Sequence, residues 1–236
     1  MNGNVIDAVL LDAGGVLVLP HHEVLVEHAL GPIGVVPDVE ELDRAHYHGA
    51  RELEVWPEDE VAIFSRFNRA YLERIGADPS EANVAALNAA FQRFDMWTRP
   101  APGAREGLAA IAATGVKMAI VSNADGQVEQ ILAELELCQV GPGRGVEIHA
   151  VIDSHVVGVA KPDARIFHIA LERIDVAAAQ AVHVGDIVGA DVAGATSAGA
   201  NALHFDPLHL CESADHHHAA TLVEVAEVVT ASRSGR

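Results

Sequence analysis

The chain has 236 residues, half of them hydrophobic and only 4% aromatic, which fits a folded protein with an aliphatic core and excludes a disordered one. Its formal net charge of −19 argues against nucleic acid or an anionic membrane as partner, so any anionic ligand must be drawn in by local positive charge. Lysine occurs only at Lys117 and Lys161, which makes both positions relevant to that question. Cys138 and Cys211 have no metal-ligand spacing, and they fit a reducing compartment. The N-terminus lacks a basic region followed by a long apolar stretch, and no run reaches membrane-spanning length. These features point to the cytoplasm.

In chain order, residues 5–11 read as a short, fully buried strand that ends at Asp12 and is followed by Gly14 and Gly15. From about 22 to 95 the pattern is helical, with no convincing strand. Pro57-Glu58-Asp59-Glu60 reads as a helix start with acids in its first turn, and the helix runs towards Gly76. Asp78-Pro79-Ser80-Glu81 opens another. After Pro100 strands and helices alternate. A helix near 103–114 stops at Gly115, and the strand Lys117 to Val121 leads into Ser122-Asn123. A helix at 126–136, a strand near 148–152 and a helix opening at Pro162 follow. The strand Ala181 to Val184 then leads into Gly185-Asp186. A small-residue helix over 188–198 ends at Gly199, and a strand at 201–205 closes the series. This alternation predicts an α/β fold, a parallel sheet covered by helices on both faces, with an all-helical insert.

Asp12, Ser122 and Asp186 each follow an apolar strand, and in open parallel sheets the ligand crevice lies at the strands' carboxyl ends. If the strands are neighbours, the three side chains meet. The chemistry they suggest is phosphoryl transfer. Asp12 can attack phosphorus and form an aspartyl-phosphate. Asp186 can hold Mg²⁺ together with Asp12, since few, hard oxygen ligands suit that ion. The Ser122 hydroxyl and the backbone N–H groups after it can bind non-bridging oxygens. Lys161 supplies compact positive charge. Gly14 and Gly15 let the backbone approach phosphate or metal closely.

Four segments carry a family resemblance: Asp12-Ala13-Gly14-Gly15-Val16-Leu17, Val121-Ser122-Asn123, Ala160-Lys161-Pro162-Asp163, and Val184-Gly185-Asp186-Ile187-Val188-Gly189-Ala190-Asp191. In this order and setting the chain resembles the haloacid dehalogenase superfamily. The resemblance implies a Rossmann-like three-layer core at 1–17 and 99–236 with a helical cap at 18–98. It implies Asp12 as nucleophile, Ser122 as phosphate ligand with Asn123 beside it, and Lys161 steadying the nucleophile and transferred group. It also implies Asp186 as Mg²⁺ ligand, Asp191 supporting that site, and the backbone carbonyl of Gly14 in the metal shell. The expected activity is Mg²⁺-dependent hydrolysis of a small phosphorylated metabolite, by a monomer or homodimer.

The chain departs from the pattern at Gly14, where phosphatases of the family commonly carry an Asp as general acid and base. Positioned acid–base help is worth roughly 10²–10⁴-fold. His21 and His22 are candidate substitutes, with a plain linker role as the alternative. Relatives that dehalogenate 2-haloacids also lack that Asp, but they need no metal, and Gly185-Asp186 with Asp191 favours the metal-dependent branch. A binding or regulatory protein that has lost catalysis is the non-enzymatic alternative. Substrate choice falls to insert residues such as Glu23, Arg44, His46, His48, Arg51 and Trp56. His183 reads as a packed core histidine. Asp215 with His216-His217-His218 reads as an exposed segment before the last helix, able to take up a transition metal only adventitiously, and Glu40-Glu41 reads as a solvated face.

Overall fold

The computed structural model describes residues 5–56 and 60–234. The strands are β1 (Ala8–Leu11), β2 (Val18–Leu19), β3 (Arg99–Pro100), β4 (Lys117–Ser122), β5 (Cys138–Val140), β6 (Val146–Ile148), β7 (Ala150–Asp153), β8 (Ala181–Gly185), β9 (Asn201–Phe205) and β10 (His217–Ala219). The helices are α1 (His22–Leu25), α2 (Val39–Arg51), α3 (Glu60–Arg74), α4 (Glu81–Phe91), α5 (Ala104–Ala113), α6 (Val128–Glu134), α7 (Ser154–Val157), α8 (Ala164–Ile174), α9 (Ala193–Ser197) and α10 (Leu222–Arg233). Six strands form one sheet in the order β10-β9-β8-β1-β4-β7, and every pairing in it is parallel.

Alternation along the strands builds the three layers. Val9 and Leu11 of β1, Met118 and Ile120 of β4, and Val182 and Val184 of β8 face one way, into a core with Leu108, Leu132, Leu222 and Val225 from α5, α6 and α10. Ala8, Leu10, Ala119 and Val121 face the other way, onto Ile166, Phe167, Ala170 and Leu171 of α8. Successive side chains of a strand point to opposite faces, so strands buried on both sides must be apolar throughout, as these are.

Between β2 and β3, which pair antiparallel, the chain forms the helical insert. It has its own apolar cluster, including Leu25, Leu30, Leu42, Tyr71, Leu72, Leu87 and Met96. The expected start of α3 at Pro57-Asp59 lies outside the described residues. The N-terminus of α2 carries a capping box: Asp38 Oδ1 accepts from Glu41 N–H at 2.8 Å, and Glu41 Oε2 accepts from Asp38 N–H at 3.2 Å. Glu41 is thus more than a solvated charge, while Glu40 pairs with exposed Arg44.

Two sequence expectations need correction. Pro162 is not the first residue of α8. Asp163 caps that helix by accepting from Arg165 N–H at 2.9 Å, which leaves Pro162 in the preceding turn. The His216–His218 run is more than an exposed segment before the last helix: His217 is exposed, but His216 and His218 are partly buried. His217 and His218 belong to β10, paired with β9, because the chain after β9 returns along the sheet edge. Among the described residues no helix is long and apolar enough to cross a membrane.

Candidate active site at the carboxyl ends of the strands

The chain runs outward from β1 through β4 to β7, then returns to the other side of β1 with β8, β9 and β10. The gap between β1 and β8 is therefore the topological switch point, where a crevice opens at the strand ends. Leu11 is in register with both Ile120 and Val184, so Asp12 stands level with Val121 and Gly185, one residue short of Ser122 and Asp186, and all three lie at the same end of the sheet. All three are buried. The structure brings together what the sequence placed at separate strand ends.

Lys161 binds the group into one unit. Its Nζ lies 2.8 Å from Asp12 Oδ2 and 2.7 Å from Asp191 Oδ1, with all three side chains nearly inaccessible. Asn123 positions that lysine. Its Nδ2 donates to the Lys161 carbonyl at 3.0 Å, and its Oδ1 accepts from the Lys161 N–H at 2.7 Å. The Asn123 amide is spent on holding the lysine loop. Asp191 is held as firmly. Oδ1 accepts from His183 Nε2 at 2.8 Å as well as from Lys161, and Oδ2 accepts from Ile187 N–H at 3.0 Å. Asp191 therefore sits behind the site and fixes both the lysine and the 186–188 loop. His183 is a core histidine as expected, fully buried against Phe167, and it also orients Asp191.

Two glycines make this density feasible. Gly15 has φ +72°, and a Cβ there would lie 2.1 Å from Asp186 Oδ2. A Cβ on Gly185 would lie 2.1 Å from Asp191 Cγ.

Electrostatics follow from three buried carboxylates facing one lysine. Burial pushes Asp12 up; Lys161 opposes, but Asp191 and Asp186 add to the rise, and the carboxyl ends at about 7. Burial alone would raise Asp191 too, yet Lys161 and His183 outweigh it and hold the group below the ordinary carboxylate range. Burial disfavours the Lys161 charge, but Asp12 and Asp191 more than compensate, so its pKa is raised. One carboxylate oxygen each from Asp12, Asp186 and Asp191 lies within 4.8 Å of the others. This compact, hard-oxygen, net-negative donor set fits a small divalent cation such as Mg²⁺.

The insert closes on this site through a residue that sequence reasoning left among six candidates. His46 of α2 is 3% exposed and its Nε2 lies 2.9 Å from Asp186 Oδ2, while its Nδ1 is buried with no hydrogen-bond partner. Tyr47 Oη donates to the Gly15 carbonyl at 2.8 Å. His46 packs edge-on against Tyr47, Phe67 and Trp97. The Trp97 ring also lies 3.5 Å from where a Gly14 Cβ would be, so an aromatic surface covers the place a second Asp would occupy. His21 and His22 lie at the start of α1, and no hydrogen bond joins either to Asp12 or Asp186 among the described residues. The residues after β8 meet the insert as well, since Gly189 N–H donates to the Leu53 carbonyl at 3.0 Å. No sequence signal separated His46 from its neighbours, because its reach depends on how α2 docks on the sheet.

A family model described as haloacid dehalogenase-like hydrolase matches residues 6–199, and the chain belongs to that family of hydrolases. It is 40% identical over 85 residues to haloacid dehalogenase-like hydrolase domain-containing protein 3 of Xenopus laevis, covering 36% of this chain and 32% of that protein. It is 31% identical over 125 residues to glyceraldehyde 3-phosphate phosphatase of Methanopyrus kandleri, covering 51% and 49%. The chain thus spans half or less of the length of these curated relatives. Among solved structures, it resembles a HAD phosphatase from Thermococcus onnurineus at TM-score 0.56 and 20% identity, covering 95% of this chain and 98% of that one. It likewise resembles a 2-haloacid dehalogenase from Pseudomonas syringae at TM-score 0.54 and 24% identity, covering 96% and 99%. At these identities the solved structures speak for the Rossmann-like fold.

Proposed function

We propose that the protein is a Mg²⁺-dependent phosphatase acting on a small phosphorylated metabolite, with residues 18–98 serving as a cap over a core of 1–17 and 99–236. The observation that carries this reading is the charge imbalance at the switch point, where Asp12, Asp186 and Asp191 are buried together and, among the described residues, Lys161 is the one lysine or arginine paired with any of them, through Asp12 and Asp191. Phosphate chemistry needs a cation between an anionic nucleophile and an anionic substrate. The similarity to a glyceraldehyde 3-phosphate phosphatase adds support.

In this reading Asp12, Asp186 and the Gly14 carbonyl hold the metal, which when bound screens charge and orients the phosphoryl group. A carboxylate oxygen of Asp12 attacks phosphorus. The bond to the leaving oxygen breaks, and an aspartyl-phosphate forms. Water then cleaves that intermediate, releasing inorganic phosphate and restoring Asp12. Ser122, Lys161 and the backbone after β4 bind the phosphoryl oxygens. Asn123 and Asp191 hold Lys161 in place. With no carboxyl at Gly14, His46 supplies the proton to the leaving oxygen, since it is the imidazole that the insert lays against the buried carboxylates.

Phosphate release from p-nitrophenyl phosphate and acetyl phosphate, with Mg²⁺ and with EDTA, tests this reading beside Asp12→Asn. Mg²⁺-dependent turnover that drops at least roughly 10³-fold in the variant is the expected result. Absence of turnover under every metal condition, together with halide release from 2-chloropropionate, would replace the phosphatase reading with dehalogenation.

A further inference from the structure

We propose a second metal site, of the zinc class, formed by His204, Cys211, His216 and His218 at the edge of the sheet. One donor atom from each of the four lies within 4.8 Å of the others. His204 Nδ1 and His216 Nε2 are 3.2 Å apart, and His216 Nε2 and Cys211 Sγ are 3.6 Å apart. A tetrahedral ion with bonds of about 2.0–2.1 Å to nitrogen and about 2.3 Å to sulfur sets N···N edges of about 3.3 Å and N···S edges of about 3.6 Å. These two of the six edges match those of a zinc tetrahedron. His218 Nε2 is buried and has no hydrogen-bond partner, an unmet need that a metal bond satisfies.

The scaffold holds these donors ready. His204 on β9 and His218 on β10 are direct partners across the parallel pair. His216 and His218 are two residues apart, which on an extended chain puts both on one face. Buried Asp206 fixes the loop that carries Cys211, accepting from Leu210 N–H at 2.9 Å and Cys211 N–H at 2.8 Å. His204 Nε2 lies 3.2 Å from the Asp186 carbonyl, which can only accept, so the proton sits on Nε2 and the Nδ1 lone pair faces the cluster. A histidine ligand anchored through its other nitrogen is the usual support of a metal site. Three imidazoles and a thiolate favour zinc or a related transition ion over Mg²⁺. Four protein ligands make the site closed, hence structural. On binding, the Cys211 thiol gives its proton to solvent and the three imidazoles bind neutral, so one proton is released per ion. The ion would tie β10 and the 206–216 loop to β9, next to the backbone that carries Asp186.

The test uses the full chain, stripped with a chelator and titrated with Zn²⁺ against a chromophoric competitor, then with Co²⁺ followed by absorption. We expect one tight Zn²⁺ equivalent, a higher Tm on binding, and a thiolate-to-Co²⁺ charge-transfer band. Cys211→Ser abolishes the band, His216→Ala abolishes tight binding, and Asp12→Asn combined with Asp186→Asn leaves both intact. Circular dichroism of the metal-free variants checks that each folds, and where one variant fails to fold the other decides. No tight equivalent in the parent protein, an equivalent that survives both Cys211→Ser and His216→Ala, or one lost only with Asp12 and Asp186 overturns the proposal.

Discussion

Two polar clusters sit on one sheet, one buried and one partly buried, and their chemistry is opposite. At the ends of β1 and β8, oxygen donors crowd around one lysine and carry excess negative charge. At β9, β10 and the loop between them, three imidazoles pack tilted or edge-on with centroids 4.6–5.3 Å apart, beside the Cys211 thiol, and carry no formal charge when neutral. The His204 side chain links them by donating to the Asp186 carbonyl, alongside the pairing of β8 with β9. The contrast teaches that position at the switch point decides where catalysis can occur, while donor type decides which ion each cluster prefers.

The sharpest way to break the comparison is to remove one member from each cluster. Lys161→Met leaves two carboxylates buried without their cation and should cost about 3–5 kcal/mol in urea denaturation with EDTA present. His216→Ala removes a neutral, half-exposed partner and should cost less than about 1.5 kcal/mol under the same conditions. Equal losses would mean that the charge imbalance at the first cluster is not what holds it.

His46 separates catalysis from stability. His46→Gln should lower turnover of an alkyl phosphate by roughly 10²-fold or more while affecting p-nitrophenyl phosphate much less, since a good leaving group needs little protonation. A uniform loss across leaving groups would assign His46 to closure instead of proton delivery. Gly14→Asp offers the complementary gain, but its carboxyl must share space with the Trp97 ring.

In EDTA the pH response of Asp12 should carry the opposite sign to that of His204 and His216. Asp12 is raised from 3.8 to about 7, so the folded protein binds more protons than the unfolded chain in that window. Stability from Asp12 is fully present below its ordinary value and is lost as pH rises through about 7. Burial lowers His204 and His216, so their contribution is present above the ordinary imidazole value of 6.5 and is lost as pH falls below it. Thermal unfolding of the parent, Asp12→Asn and His216→Ala between pH 5 and about 8 separates the two trends, and Mg²⁺ should flatten the first. The smallest effect is that of Tyr47→Phe, which removes one bond from the insert to the Gly15 carbonyl and should cost about 1 kcal/mol of thermal stability.

The sequence by itself determined five of the six strands of the sheet and missed only the edge strand β10. Strands apolar on both faces, punctuated by Gly115, Gly185 and Gly199, are local patterns that survive without knowledge of contacts. The residues that end those strands, Asp12, Ser122 and Asp186, were legible for the same reason, and Lys161 because lysine is so scarce. What only the tertiary structure decided are relations across long separations. His46 meets Asp186 from 140 positions away, because α2 docks over the strand ends. Asn123 turns its amide to the lysine backbone, a direction no spacing reveals. Cys211 has no ligand spacing along the chain, yet parallel pairing of β9 with β10 carries His204 and His218 to it. Periodicity fixes which face of an element is buried, but contact between elements is set by packing, and packing is where these sites are made.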